Sequence, residues 1–166
     1  VYSKAKELEE KHGTIYCVVH LASAPIIRKP VLSLSVVDFS TQVDVHTKGV
    51  FLVTKALDHM LVDSGCVIGV TSTAVDNKGG GQASGSYLPA KYAMRGLLRV
   101  LWSELKDREI RVCAVAPAFM PYGLNKDIPD MVRNFLLEKS AKENLTSPEE
   151  VSLLIIKILD DQADTM

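Results

Sequence analysis

Tyr87 and Lys91 stand four residues apart in the run Ser86-Tyr87-Leu88-Pro89-Ala90-Lys91, a spacing that puts a phenol and an ammonium on one face of a helix. Ser86 reads as the N-cap and Pro89 falls in the first turn, where its missing N–H does little harm. From Ala90 to Leu105 only Gly96 interrupts the helical pattern. A free tyrosine titrates near pKa ~10, and both a nearby cation and a helix N-terminus favour the phenolate. The pair is therefore suited to proton transfer, with Lys91 expected to depress the tyrosine pKa. The same spacing also describes a half-buried aromatic beside a solvated lysine, so the surrounding elements must decide between the two.

Upstream, Gly65-Cys66-Val67-Ile68-Gly69-Val70-Thr71-Ser72-Thr73 is a short apolar run ending in hydroxyls, as expected of a buried parallel strand whose carboxyl end opens onto a site. Downstream, Ile110 to Ala116 is a second such strand, stopped by Pro117. Strand, loop, helix and strand in that order predict a right-handed βαβ unit, and ligands of such sheets bind beyond the strand carboxyl ends. Ser72 and Tyr87 both fall there. Ser72 also fits a simple hydroxyl turn closing the strand, and Thr73 beside it is a second candidate.

The set Ser72, Tyr87 and Lys91, followed by the helix Tyr92 to Leu105, resembles the Ser…Tyr-x-x-x-Lys core of the short-chain dehydrogenase/reductases. Gly13 to Ser23 looks like that family's fourth strand and its turn. Val45-His46-Thr47-Lys48-Gly49-Val50-Phe51 looks like its long central helix, and Arg111 to Ala118 like its sixth strand. The resemblance spans nearly the whole chain. It implies an α/β fold, a partial doubly wound parallel sheet of Rossmann-like type in three α/β/α layers. It also implies NAD(P)(H) as cofactor and a small carbonyl or alcohol as substrate.

By the same resemblance, Tyr87 protonates the developing alkoxide in carbonyl reduction, Ser72 hydrogen-bonds that oxygen, and Lys91 holds the ribose hydroxyls. Ala22, Ser23, Tyr87, Lys91, Pro117 and Ala118 would touch the cofactor. The departures are specific. Only Ala22 matches the family's usual turn after the fourth strand, and His46 stands where an asparagine usually bends the central helix. Histidine donates, accepts and titrates near neutrality, so His46 fits a proton relay, and it fits equally a lost function. His20 reads as a buried histidine satisfied by a backbone group.

The 166 residues, 47% hydrophobic, suffice for one domain with a substantial core. A net charge of −1 without long runs of one sign gives no basic footprint for nucleic acid. No stretch approaches the ~20 apolar residues of a membrane span, and Val1 to Glu7 has no secretory core. A cytoplasmic protein is the expectation. Cys17, Cys66 and Cys113 lie in predicted strands without a C-x-x-C, and His12, His20, His46 and His59 lack metal-ligand spacing. Free thiols and no metal follow.

Tyr2 to His12 predicts a helix with Gly13 as C-cap, and Ile15 to Leu21 a strand. Ser35 to Asp38 starts a helix reaching about Val62, with Phe39, Val43, Val50, Val53, Leu57 and Met60 on its apolar face. By the resemblance, the 36–62 segment and the helix over 87–106 would build the two-helix face through which the family forms dimers; a role in internal packing is the other reading. Gly79 to Gly81 sits in a polar loop rather than between a strand and a helix, so it fails the test for a phosphate cradle. Ile128 to Lys142 predicts a helix that suits a lid, and Ser147-Pro148-Glu149-Glu150 opens a last helix.

No stretch matches the family's glycine-rich cofactor loop, and the expectation is a domain lacking that part. The strand over 15–21 should then show a bare or otherwise covered edge. A non-catalytic interaction module that keeps the fold without binding the dinucleotide is the alternative reading.

Overall fold

The computed structural model describes residues 1–76, 84–126, 128–140 and 147–160. The run Gly79 to Gly81 and the end of the helix expected to reach Lys142 lie outside them. Helix α1 spans Tyr2–His12 and closes on Gly13 at φ 71°, whose N–H donates to the Glu9 carbonyl. Strand β1 (Ile15–His20) pairs in parallel with β2 (Leu61–Val70), and β2 pairs in parallel with β3 (Arg111–Val115), giving the order β1-β2-β3. Among the described residues no strand pairs with the outer edge of β1, as the sequence led us to expect.

Alternation along the strands separates two cores. Val18, Val67 and Val112 face one side, where they meet Val50, Met94 and Leu98. Cys66, Ile68, Cys113 and Val115 face the other, where they meet Val151 and Ile158. These contacts make three layers. The first helical layer is α2 (Val36–Val43), α3 (Gly49–Leu57) and α4 (Tyr87–Leu105). On the far side lies α6 (Pro148–Leu159), which starts with Ser147 and Glu150 in a capping box. Helix α5 (Asp130–Ser140) leaves Met131 and Phe135 exposed.

Gly69 is what lets α4 approach the sheet, because a Cβ there would lie 2.5 Å from a Leu98 methyl and 3.0 Å from the Met94 terminus. The expected long helix over 36–62 is instead divided. Ser35 and Asp38 cap it as anticipated, but Asp44–Lys48 form a π-helical turn, and the helix gives way to a 3-10 turn at Asp58–Met60. Strand β2 then begins at Leu61, four residues before Gly65. Ser64, at φ 61°, falls in its polar first half, where the pairing with β1 shifts register between Ile15 and Cys17.

Candidate active site

The candidate side chains come from beyond the carboxyl ends of the strands, from the π-helical turn and from the first turns of α4. Beyond β2 and β3 the ladder continues through Thr71 N–H to the Val115 carbonyl at 2.7 Å and Thr73 N–H to the Pro117 carbonyl at 3.0 Å. Ser72 is thereby pinned between two backbone bonds. Its hydroxyl accepts from Ala74 N–H at 3.2 Å, the strand-closing turn, and lies near enough to the Tyr87 phenol to pull its pKa down.

Tyr87 opens α4, half-buried, with its N–H on the Ser84 carbonyl at 3.1 Å. Ser86 does not cap this helix. It is buried with its hydroxyl donating to the Asp38 carbonyl at 3.3 Å, which ties α4 to α2. One turn on, Lys91 is 5% exposed. Its ammonium lies 5.6 Å from the Tyr87 ring centroid and donates to the Val70 carbonyl at 2.7 Å. Burial lowers the Lys91 pKa to about 8.

The expected depression of the Tyr87 pKa is reversed. Burial raises it, against the opposing pull of the Ser72 hydrogen bond and the Arg28 guanidinium. Spacing located the cation near the ring, and the deciding influence is the desolvation of the phenol.

His46 sits in the π-helical turn, buried, edge-to-face with Tyr87 at 5.6 Å between ring centroids. Its Nε2 is 3.1 Å from the Ser23 hydroxyl, and its Nδ1 has no partner among the described residues. Burial, reinforced by the Lys91 charge, pushes its pKa down to about 4, so the ring is neutral at pH 7. A small, mostly apolar cavity of about 80 Å³ is lined by His46, His20, Ala22 and Val53 among others, and its size is enough for a water beside the two imidazoles. His20 is satisfied by the Thr54 hydroxyl at 3.0 Å rather than by a backbone group. Ala22 is exposed, Ser23 is half-buried, and Pro117 and Ala118 are buried at the end of β3.

Sequence reasoning did not single out Arg28, whose charge reaches Tyr87 from the loop after β1. Nor did it find Asn125, which accepts from Arg28 across 97 positions of sequence, or Gln42, which donates to the Pro25 carbonyl at 2.6 Å. The available signal for Arg28 was its place just past a strand carboxyl end. Among the described residues no group of three or more His, Cys, Asp or Glu is arranged to hold a metal, and no helix is long and apolar enough to cross a membrane. The three cysteines are free.

A parallel sheet between helical layers, with its polar groups gathered beyond the strand ends, defines a Rossmann-like α/β protein. A family model described as enoyl-(acyl carrier protein) reductase matches residues 1–166, and the chain belongs to the short-chain dehydrogenase/reductase family. The 3-oxoacyl-(acyl-carrier-protein) reductase FabG of Thermotoga maritima is 27% identical over 161 residues, 95% of this chain and 64% of its own length. The human (3R)-3-hydroxyacyl-CoA dehydrogenase is 30% identical over 124 residues, 73% of this chain and 47% of its own length.

Among solved structures, a dehydrogenase/reductase from Sinorhizobium meliloti matches with a TM-score of 0.85 at 22% identity, over 97% of this chain and 63% of that one. The angucycline C-6 ketoreductase LanV, solved with NADP, gives 0.82 at 19%, over 95% and 61%. These likenesses establish the fold. The chain spans about three fifths of the length of the Thermotoga protein and of both solved structures.

Proposed function

We propose that the complete protein is an NAD(P)(H)-dependent oxidoreductase acting on a carbonyl or secondary alcohol, with Tyr87 as general acid and base. The observation that carries this reading is the buried ammonium of Lys91 placed 5.6 Å from the Tyr87 ring, with the Ser72 hydroxyl near enough to the phenol to favour its ionisation. Family membership and the NADP bound in the LanV structure support it.

The residues fit the nicotinamide end of such a cofactor. The Val70 carbonyl takes one of the three N–H groups of Lys91, which leaves donors for ribose hydroxyls. Ala22, Ser23, Pro117 and Ala118 offer small side chains at the ends of β1 and β3, where a backbone-close approach is needed. The bound dinucleotide supplies or accepts the hydride.

In reduction, Tyr87 gives its proton to the oxygen of the reacting carbonyl, and the Ser72 hydroxyl holds that oxygen. The raised pKa of Tyr87 keeps the phenol protonated at neutral pH, as an acid requires. Lys91, with a pKa of about 8, stays mostly charged at pH 7. His46 Nε2 lies on Ser23 and the ring edges Tyr87; with its cavity large enough for water, it serves as the relay that returns a proton toward the Tyr87 side. The outer faces of α3 and α4 expose Phe51, Tyr92, Val100 and Trp102, which supports a homodimer through the 36–62 and 87–106 segments.

The test is turnover and dinucleotide binding on the complete protein. Tyr87→Phe should lower the rate of carbonyl reduction by about 10²–10⁴-fold while NADPH fluorescence titrations stay unchanged. Full activity in that variant overturns the assignment. Absence of any NADPH or NADH binding by the complete wild-type protein would establish the non-catalytic module instead.

A further inference from the structure

Two loops meet beyond the strand ends and enclose a second cavity, of about 480 Å³, within the range of small-molecule sites. One loop follows β1 and contributes Pro25, Ile26 and Arg28. The other follows β3 and contributes Leu124, Lys126 and Ile128. Apolar side chains form most of this wall. Among the described residues, both charged groups that line it are cations, and none forms an ion pair with Arg28.

Arg28 is also held in place. Its Nη2 donates to the Asn125 Oδ1, and the Asn125 amide N–H₂ donates in turn to the Met120 carbonyl at 2.8 Å. The second bond fixes which way the Asn125 amide faces, and so presents its oxygen to the guanidinium. One edge of the guanidinium is thereby used, and the remaining N–H groups are left for a ligand. A neutral amide partner orients the cation without neutralising it, unlike a carboxylate.

The cavity adjoins the reacting centre. The Ile27 carbonyl packs so tightly on Gly85, which stands at φ 55°, that a Cβ there would come within 2.6 Å of it. Gly85 immediately precedes Ser86 and Tyr87. The loop that carries Arg28 thus leans on the start of α4.

We propose that this cavity binds the anionic end of the carbonyl substrate, a carboxylate, with Arg28 as its principal ligand, Lys126 as a second, and Asn125 as the positioning residue for Arg28. This rests on the oxidoreductase reading above for the word substrate. The anion selectivity itself rests only on the cavity and its two cations. The apolar wall of Ile26, Leu124 and Ile128 would cover a short aliphatic chain between the carboxylate and the carbonyl.

The test uses the complete protein, with and without NADPH, titrated calorimetrically with 5-oxohexanoate and with its methyl ester. The acid should bind at least about tenfold more tightly than the ester, as charge-assisted bonds to two cations warrant. Arg28→Gln should abolish that preference, and Arg28→Lys should restore part of it. Lys126→Gln, at an exposed position, should reduce it about two- to fivefold, and it decides the matter if the Arg28 variants fail to fold.

Equal binding of acid and ester, binding of neither, or a preference that survives Arg28→Gln overturns the proposal. So does a loss of NADPH affinity in Arg28→Gln with the acid preference unchanged, since Arg28 would then serve a cofactor phosphate. NADPH oxidation with the acid is followed separately. Preferential binding without oxidation leaves the anion site standing, and the oxidoreductase reading is then decided by the dinucleotide titrations and the Tyr87→Phe variant described above.

Discussion

The helical layer of α2, α3 and α4 buries Gln42, His46, Thr54, Ser86 and Lys91 along with its apolar side chains, whereas the layer of α6 closes over the sheet with Val151, Ile158 and the thiols of Cys66 and Cys113. Burying a polar group is costly unless it finds a partner, and most of these have one: Lys91 on Val70, Thr54 on His20, Gln42 on Pro25 and Ser86 on Asp38. The α6 side needs no such network. Its polar tie to the sheet is made at the helix end, where the Arg111 guanidinium donates to the Ile158 carbonyl and suits the negative end of the helix dipole. One layer is built to hold specific groups beside the strand ends, and the other to shield apolar surface.

That contrast is open to measurement. Leu98, fully buried between α4 and β2, should cost about 2–5 kcal/mol when changed to alanine. Leu154→Ala, at a half-buried position under α6, should cost about half as much. Urea unfolding of both variants checks the ratio, and equal losses would mean that the two layers are packed alike. Gly69→Ala should destabilise by about 1–3 kcal/mol, because the added methyl meets the Leu98 side chain at 2.5 Å. Pairing it with Leu98→Ala should recover part of the loss, since the truncation opens the space.

The smallest effect concerns pH. His20 and His46 both fall to about 4 in the fold from an ordinary 6.5, through burial. Between those values the unfolded chain binds more protons than the folded one, so stability falls as pH drops through the window from 6.5 toward 4. Melting temperatures between pH 7 and 5, above the range where carboxylates dominate, should therefore decline. His46→Asn should flatten the decline. A wild-type profile that is level over that range would mean that these rings are less buried than the structure has them.

The elements were legible in the sequence wherever a local signal existed. Gly13 closed α1, and Ser35 with Asp38 and Ser147 with Glu150 opened their helices as read. The short apolar run up to Ala116 and the proline after it marked β3. What stayed hidden depends on contacts between distant residues. The first half of β2 reads as polar, and only pairing with β1 makes Leu61 a strand residue. The Tyr-x-x-x-Lys spacing placed the ammonium beside the ring, but the direction of the tyrosine pKa follows from burial, which spacing does not encode. Arg28 carries no periodic signal, and its meaning comes from Asn125 in another loop.

The π-helical turn under His46 has one further consequence. Gly49 N–H bonds to the carbonyl of Asp44, five residues back, where an α-helix would reach back four. The turn is in effect a single extra residue accommodated inside a helix. A deletion of one codon anywhere in Asp44–Lys48 would let the segment wind as ordinary α-helix with α2 and α3 still in phase, whereas a deletion between Val50 and Thr54 would rotate the later residues of α3 by about 100°. Composition would barely change in either case, yet only the second would swing Thr54 away from His20. The slack of this helical stretch thus lies in the turn, and shortening it should cost the placement of His46 rather than the packing of α3.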